Sequence, residues 1–186
     1  MSTDRSLEDK LPEEYNEISQ TLQSADLILN NAVKNAQTLF HTLNVSSIDN
    51  NQVATRVMVL REFNLKERYL RFHTDYRSPK IDYLKNNKKI YFVFYSKKRK
   101  IQVRAEGIVT IHKDNEITKQ AWAKTQMMSR KCYLSPQAPG DLINESASDL
   151  SKDMGGALPS LEQSEIGYKN FCVVESKIKS FEWLYL

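Results

Sequence analysis

The sequence predicts a closed antiparallel β-barrel with flanking helices, and three observations carry that expectation. Six segments alternate with period two or run as short apolar-aromatic stretches: 52–63, 68–74, 89–96, 101–112, 168–175 and 178–186. Tight polar turns separate several of them, Asn64 to Glu67 and Lys97 to Lys100 being the clearest, and short turns join antiparallel neighbours. Helical patterns are few and do not alternate with the strands, which argues against a parallel α/β sheet.

Each element has its own warrant. Residues 1–20 carry scattered charge and read as a flexible leader, ahead of a single domain over 21–186. Residues 21–42 place Leu22, Leu29, Val33, Ala36 and Phe40 at helical spacing. The Asn/Ser-rich stretch 43–51 reads as a loop. QVATRVMVLREF is rich in β-branched residues and reads as a largely buried strand, with Arg68 to Thr74 pairing back on it. Ser78-Pro79 signals a helix start, with Ile81 and Leu84 facing the core. KIYFVFYS is a strand whose alternation buries either Tyr91, Val93 and Tyr95 or Phe92 and Phe94. Gly107 marks a bend or bulge in the strand 101–112. Asp114 caps a helix through about 128, with Ile117, Ala121, Trp122 and Met128 on its inner side. Residues 135–166 form a long irregular loop, and loops of that length in compact domains are usually functional.

Composition narrows the function classes. A chain of 186 residues at 40% hydrophobic content buries a real core. No stretch of 18 apolar residues exists, and the acidic start MSTDRSLEDKLPEEY has no apolar signal core, so a cytoplasmic protein is expected. Cys132 and Cys172 show no CxxC pairing and read as buried or neutral thiols. His41, His73 and His112 show no metal-ligand spacing, so no metal is expected. The net charge of +4, from 27 basic and 23 acidic residues, is too weak to imply nucleic acid. KIYFVFY with its KKRK turn is compatible with a small RNA-binding barrel, but reads more simply as a core strand and a solvated hairpin.

The chemistry concentrates in Arg56 to Lys80. Arg56 and Arg61 bracket one strand, Phe72-His73-Thr74 ends the next, and Arg77-Ser78-Pro79-Lys80 opens a helix. Cations, hydroxyls and a helix N-terminus are what a dianionic phosphate requires. Val57, Met58 and Val59 offer backbone groups and an apolar wall.

This combination, R-x-x-x-L-[RK] followed by F-[HY]-T and S-x-K, resembles the FMN-binding core of the pyridoxamine 5'-phosphate oxidase-like split-barrel family over roughly residues 22–140. The resemblance implies a six-stranded antiparallel split β-barrel of Greek-key type and a homodimer with FMN at the subunit interface. It implies that Arg56, Thr74, Arg77, Ser78 and Lys80 grip the phosphate. Arg56 to Val59 would meet the flavin, Arg61 would stabilise the reduced ring, and His73 and Thr74 would lie beside the cofactor. Gln102 would bond the flavin, and Gln137 sits near where a partner subunit would contribute. The expected function is FMN-dependent oxidation or reduction of a small molecule; a flavin-binding protein without turnover is the alternative. The chain departs from the oxidases themselves. It ends FEWLYL with no Arg or His after Arg130, Trp122, Lys124 and Met128 occupy the substrate-phosphate region, and Ala138 stands where the family has Ser.

Overall fold

A computed structural model describes residues 7, 11–142 and 158–186. Helix α1 (Ile18–Lys34) leads into seven strands: β1 (Thr42–Asp49), β2 (Gln52–Val59), β3 (Glu62–Asn64), β4 (Tyr69–Asp75), β5 (Lys89–Ser96), β6 (Ile101–His112) and β7 (Phe171–Tyr185). Helix α2 (Lys80–Asn86) joins β4 to β5. Helices α3 (Glu116–Lys124), α4 (Met127–Arg130) and α5 (Leu161–Glu165) lie between β6 and β7. The strands form one antiparallel sheet in the order β2-β1-β5-β6-β7-β4-β3.

The two edges of that sheet are consecutive in the chain. The Leu60 amide donates to His41 O, on the β1 side, and the Arg61 amide donates to Arg71 O, on β4. Within one peptide step the backbone changes partner, so β2 and β3 carry the two edges toward each other and close the barrel covalently. No ladder pairs β2 with β4, and the barrel is split there. Inside lie Leu43, Val45, Leu60, Phe72, Phe92, Phe94, Val103 and Val174. A second cluster, Trp122, Tyr133, Phe171 and Val173, packs α3 onto the outside of β7. This explains the unbroken apolar run Phe171 to Val174: alternate residues face the barrel core and the helix, and all four are buried.

Several expectations change. Residues 43–51 hold β1, which pairs with both β2 and β5. β2 is not largely buried: Val53 and Val57 are 72% and 62% exposed. The 52–63 segment divides at the partner switch, and the two closing strands are one continuous β7, so the count is seven rather than six. Helix α1 ends at Lys34, and Phe40 is buried from a 3-10 turn. Asn115, not Asp114, caps α3, which stops at Lys124, leaving Met128 exposed. Ser78 makes no side-chain cap. Cys132 is exposed, while Cys172 is buried. In the leader, Tyr15 packs its ring 5.2 Å from Trp183 and 5.7 Å from Tyr185; residues 1–6 and 8–10, like 143–157 of the expected loop, lie outside the described residues. β4, β5, β6 and α2 fall where the pattern places them. On β5, Phe92 and Phe94 are the buried set, so half of the aromatics that suggested an RNA platform are core.

Gly107 is at a bulge. The β6–β7 register shifts between Glu106 and Gly107, leaving Lys179 as the extra residue. A Cβ on Gly107 would lie 2.9 Å from Lys177 O and collide with the Ser176 side chain. Gly107→Ala is therefore expected to destabilise the fold by about 1–3 kcal/mol, read as a lower urea midpoint; an unchanged midpoint would show that the strands separate freely there.

Candidate functional site

Alternation along β2 and β4 sorts the candidate residues to two sides of the barrel wall. Arg56 lies opposite Val45, and Met58 opposite Leu43, in the inward row that ends at Leu60. Val57 and Val59 belong to the outer row. On β4, Thr74 shares the inward side with Phe72, while His73 stands on the other face, its ring edge-on to Phe171 with centroids 4.9 Å apart.

At the split, four predicted residues converge. The Lys80 ammonium donates to Thr74 Oγ1 at 3.0 Å and to Ser78 Oγ at 2.5 Å. Arg56 donates from Nη1 to Ser47 Oγ at 2.8 Å. Burial is the main cause that lowers the Lys80 pKa, and the nearby Arg56 charge is the next; burial likewise lowers that of Arg56. Neither cation has a carboxylate within ion-pair distance among the described residues. The pair is thus short of negative charge and ringed by hydroxyls that can also donate.

Arg77 is not part of that cluster. Its Nε and Nη2 grip both oxygens of Asp75 at 3.0 and 2.7 Å, and its remaining donors reach Pro136 O and Ser135 O at 3.1 and 3.0 Å. Every nitrogen is engaged, and Arg77 ties the segment that carries Gln137 to the β4–α2 corner. Gln102 is also elsewhere: it lies in register with Tyr95 and Leu184 on the outer face of β6.

On the other side of the wall, Arg61 and His73 line a cleft of about 690 Å³ between α1, β4 and α3–α4. Burial, then the charges of Arg61 and Arg71, hold the His73 pKa down to about 3, so the ring is neutral at physiological pH. Arg71 is spent on Glu62 and Glu175, at 2.7 and 2.5 Å. Arg61, Lys34 and Lys124 line the cleft with no carboxylate partner among the described residues. His41, which carried no signal in the sequence, lines it too. Its Nδ1 is 2.6 Å from Ala32 O; a carbonyl only accepts, so Nδ1 carries a proton. The cleft's helical wall is braced by Arg130, which donates to Trp122 O and Thr125 O and pairs with Glu165 at 2.6 Å.

Residues 23–113 match the family described as pyridoxamine 5'-phosphate oxidase, FMN-binding domain. Over that span the chain belongs to the pyridoxamine 5'-phosphate oxidase-related FMN-binding family. Solved structures agree on the fold. A pyridoxamine 5'-phosphate oxidase-related, FMN-binding protein from Nostoc punctiforme PCC 73102 superposes with a TM-score of 0.67 at 19% identity, over 88% of this chain and 84% of its own. PhzG from Burkholderia lata 383, in complex with tetrahydrophenazine-1-carboxylic acid, gives 0.61 at 14% identity, over 94% and 81%. A putative pyridoxamine 5'-phosphate oxidase from Listeria innocua gives 0.53 at 13%, over 87% and 98%. No curated protein matches the chain. The family's cofactor is FMN, and the residues at the split fit its phosphate: two cations with no ion-paired carboxylate among the described residues, each bonded to hydroxyl groups.

The neutral His73 has a measurable consequence. Below about pH 6.5 the unfolded chain's imidazole takes up a proton that the folded ring accepts only near pH 3. Stability is therefore complete at neutral pH and declines as the pH falls through that window, by about 2 kcal/mol at pH 5. His73→Phe should shrink the loss between pH 7 and pH 5 by about 1–2 kcal/mol in urea unfolding; an unaltered pH dependence would mean that His73 titrates normally.

Proposed function

We propose that the chain is an FMN-dependent oxidoreductase acting on a small anionic molecule, with the FMN phosphate held by Arg56, Thr74, Ser78 and Lys80. The observation that carries this reading is the Arg56–Lys80 pair: two partly buried like charges with no carboxylate within ion-pair distance among the described residues. Folding alone gains nothing from bringing them together, whereas a phosphate dianion turns their repulsion into two charge-assisted contacts. Bound FMN supplies reversible two-electron chemistry. Arg61 is the cation we assign to the ring's electron-rich edge, with Val57, Met58 and Val59 as the strand beside it and the neutral His73 in the same cleft.

The substrate class follows from the cleft. No Arg or His follows Arg130, but Lys34 from α1 and Lys124 from α3 line the same cleft as Arg61. A carboxylate or phosphate on the substrate suits that lining.

The homodimer reading is supported by the outer face of the sheet. Val53, Val57, Tyr91, Tyr95 and Leu184 are exposed there, and Gln102 lies among them. An exposed apolar face of this kind marks an interaction surface, and Gln102 and Gln137, which lie outside the phosphate cluster, are the residues we assign to the shared site. Val53→Asp should shift the protein toward monomer in sedimentation velocity; a wild-type protein that is monomeric at micromolar concentration with FMN bound would end the homodimer reading.

The phosphate assignment is tested by comparing FMN with riboflavin, which lacks the phosphate. Arg56→Ala and Lys80→Ala should each weaken FMN binding about ten- to a hundred-fold, the worth of one charged contact, and leave riboflavin nearly unchanged. Arg77→Ala should instead lower the melting temperature and weaken both ligands alike, because it braces the loop. Equal losses of FMN and riboflavin in the Arg56 and Lys80 variants would overturn the assignment.

A further inference from the structure

We propose that Ser47 is the positioning residue for Arg56 and so belongs to the phosphate site, an inference that rests on the FMN reading above. β1 points Leu43, Val45 and Ser47 inward in succession, and all three are 1% exposed. The third position of an apolar row is thus a hydroxyl. Burying a hydroxyl is unfavourable unless it is bonded, and its bond is to the Arg56 guanidinium at 2.8 Å.

The register shows why the bond matters. Arg56 is paired with Val45, and Ser47 with Ala54, so the Arg56 side chain reaches diagonally along β1 to Ser47. Val45 O lies 3.5 Å from the same nitrogen, at the limit of a hydrogen bond. Two forces would otherwise carry the guanidinium off: the rotamer freedom of a long side chain, and repulsion from the Lys80 ammonium. Lys80 is held from its own side by Thr74 and Ser78. Ser47 does for Arg56 what those two hydroxyls do for Lys80, and each cation is thereby set before the phosphate arrives. A hydroxyl that accepts from a cation keeps its own proton free to donate a hydrogen bond.

A serine that merely fills space there would affect folding, and both ligands equally. The discriminating readout is the ratio of FMN to riboflavin affinity, measured by quenching of flavin fluorescence on titrating apoprotein. Ser47→Ala should lower that ratio about tenfold, the value of one charge-assisted hydrogen bond, with riboflavin affinity unchanged. Ser47→Thr, which keeps the hydroxyl, should hold the ratio within about twofold. Ser47→Cys, close in volume and a poor acceptor, should behave like Ser47→Ala and serves if the alanine variant does not fold. Arg56→Ala is the control. An unchanged ratio in Ser47→Ala beside a lowered ratio in Arg56→Ala overturns the role of Ser47 and leaves the phosphate site standing. An unchanged ratio in both overturns the phosphate site, and the role of Ser47 with it.

Discussion

The change of hydrogen-bonding partner between Leu60 and Arg61 is the constraint on which the site depends. Up to Leu60 the backbone belongs to the β1 edge, and from Arg61 it belongs to β4. Closing the barrel in this way leaves a split beside β2, because a strand that has handed its continuation to another partner cannot also pair along that flank. Arg56, four residues earlier and on the inward row, reaches into the split. Arg61, one residue later, falls on the opposite side of the wall and enters the cleft. The spacing R-x-x-x-L-R is thus a geometric device: one leucine seals the core while two arginines serve two compartments. Shifting the register by one residue would exchange inward and outward rows and dismantle both.

The Arg56–Lys80 cluster shows how a fold can hold a site that weakens it. Two cations in a partly buried place oppose folding: burial lowers the pKa of both, and the Arg56 charge lowers that of Lys80 further. Hydroxyls from three different strands or turns, Ser47, Thr74 and Ser78, satisfy the donors without cancelling the charge. A carboxylate would stabilise the fold better, as Asp75 does for Arg77, but it would repel an anion. Neutral acceptors preserve the positive field for an anion. By linkage, an anion bound between the two cations would return that cost as added stability.

How much of this was legible in the sequence depended on whether a signal was local. β5 and β6 matched to the residue, because their alternation is strong and their turns are polar. β1 was missed because Asn44, Ser46, Ser47 and Asp49 look like a loop; what makes it a strand is pairing with β2 and β5, contacts that no window of sequence contains. The same limit hid Ser47, since a serine read as part of a loop gives no reason to ask what it bonds. That Arg56, Thr74, Ser78 and Lys80 converge was legible because they fall in one short stretch with a composite pattern. Arg77 belongs to that stretch too, but proximity to Asp75, two residues away, turns its guanidinium to structural use. His73 and Thr74, adjacent in sequence, sit on opposite faces of β4. Lys34, His41 and Lys124 come to the cleft from separate elements and could be found only in three dimensions.

Arg56 and Lys80 are proposed to face a phosphate dianion, and phosphorus NMR tests this directly. A free phosphate monoester titrates its second proton near pH 6. Two adjacent cations favour the dianion and lower that pKa, so the ³¹P resonance of FMN bound to this protein should stay at its dianionic position from about pH 8 down to about pH 5. In Lys80→Ala the bound resonance should begin to move toward the monoanion within that range. A bound phosphate that titrates like free FMN in the wild-type protein would place it in solvent, away from the Arg56–Lys80 pair, and contradict the account.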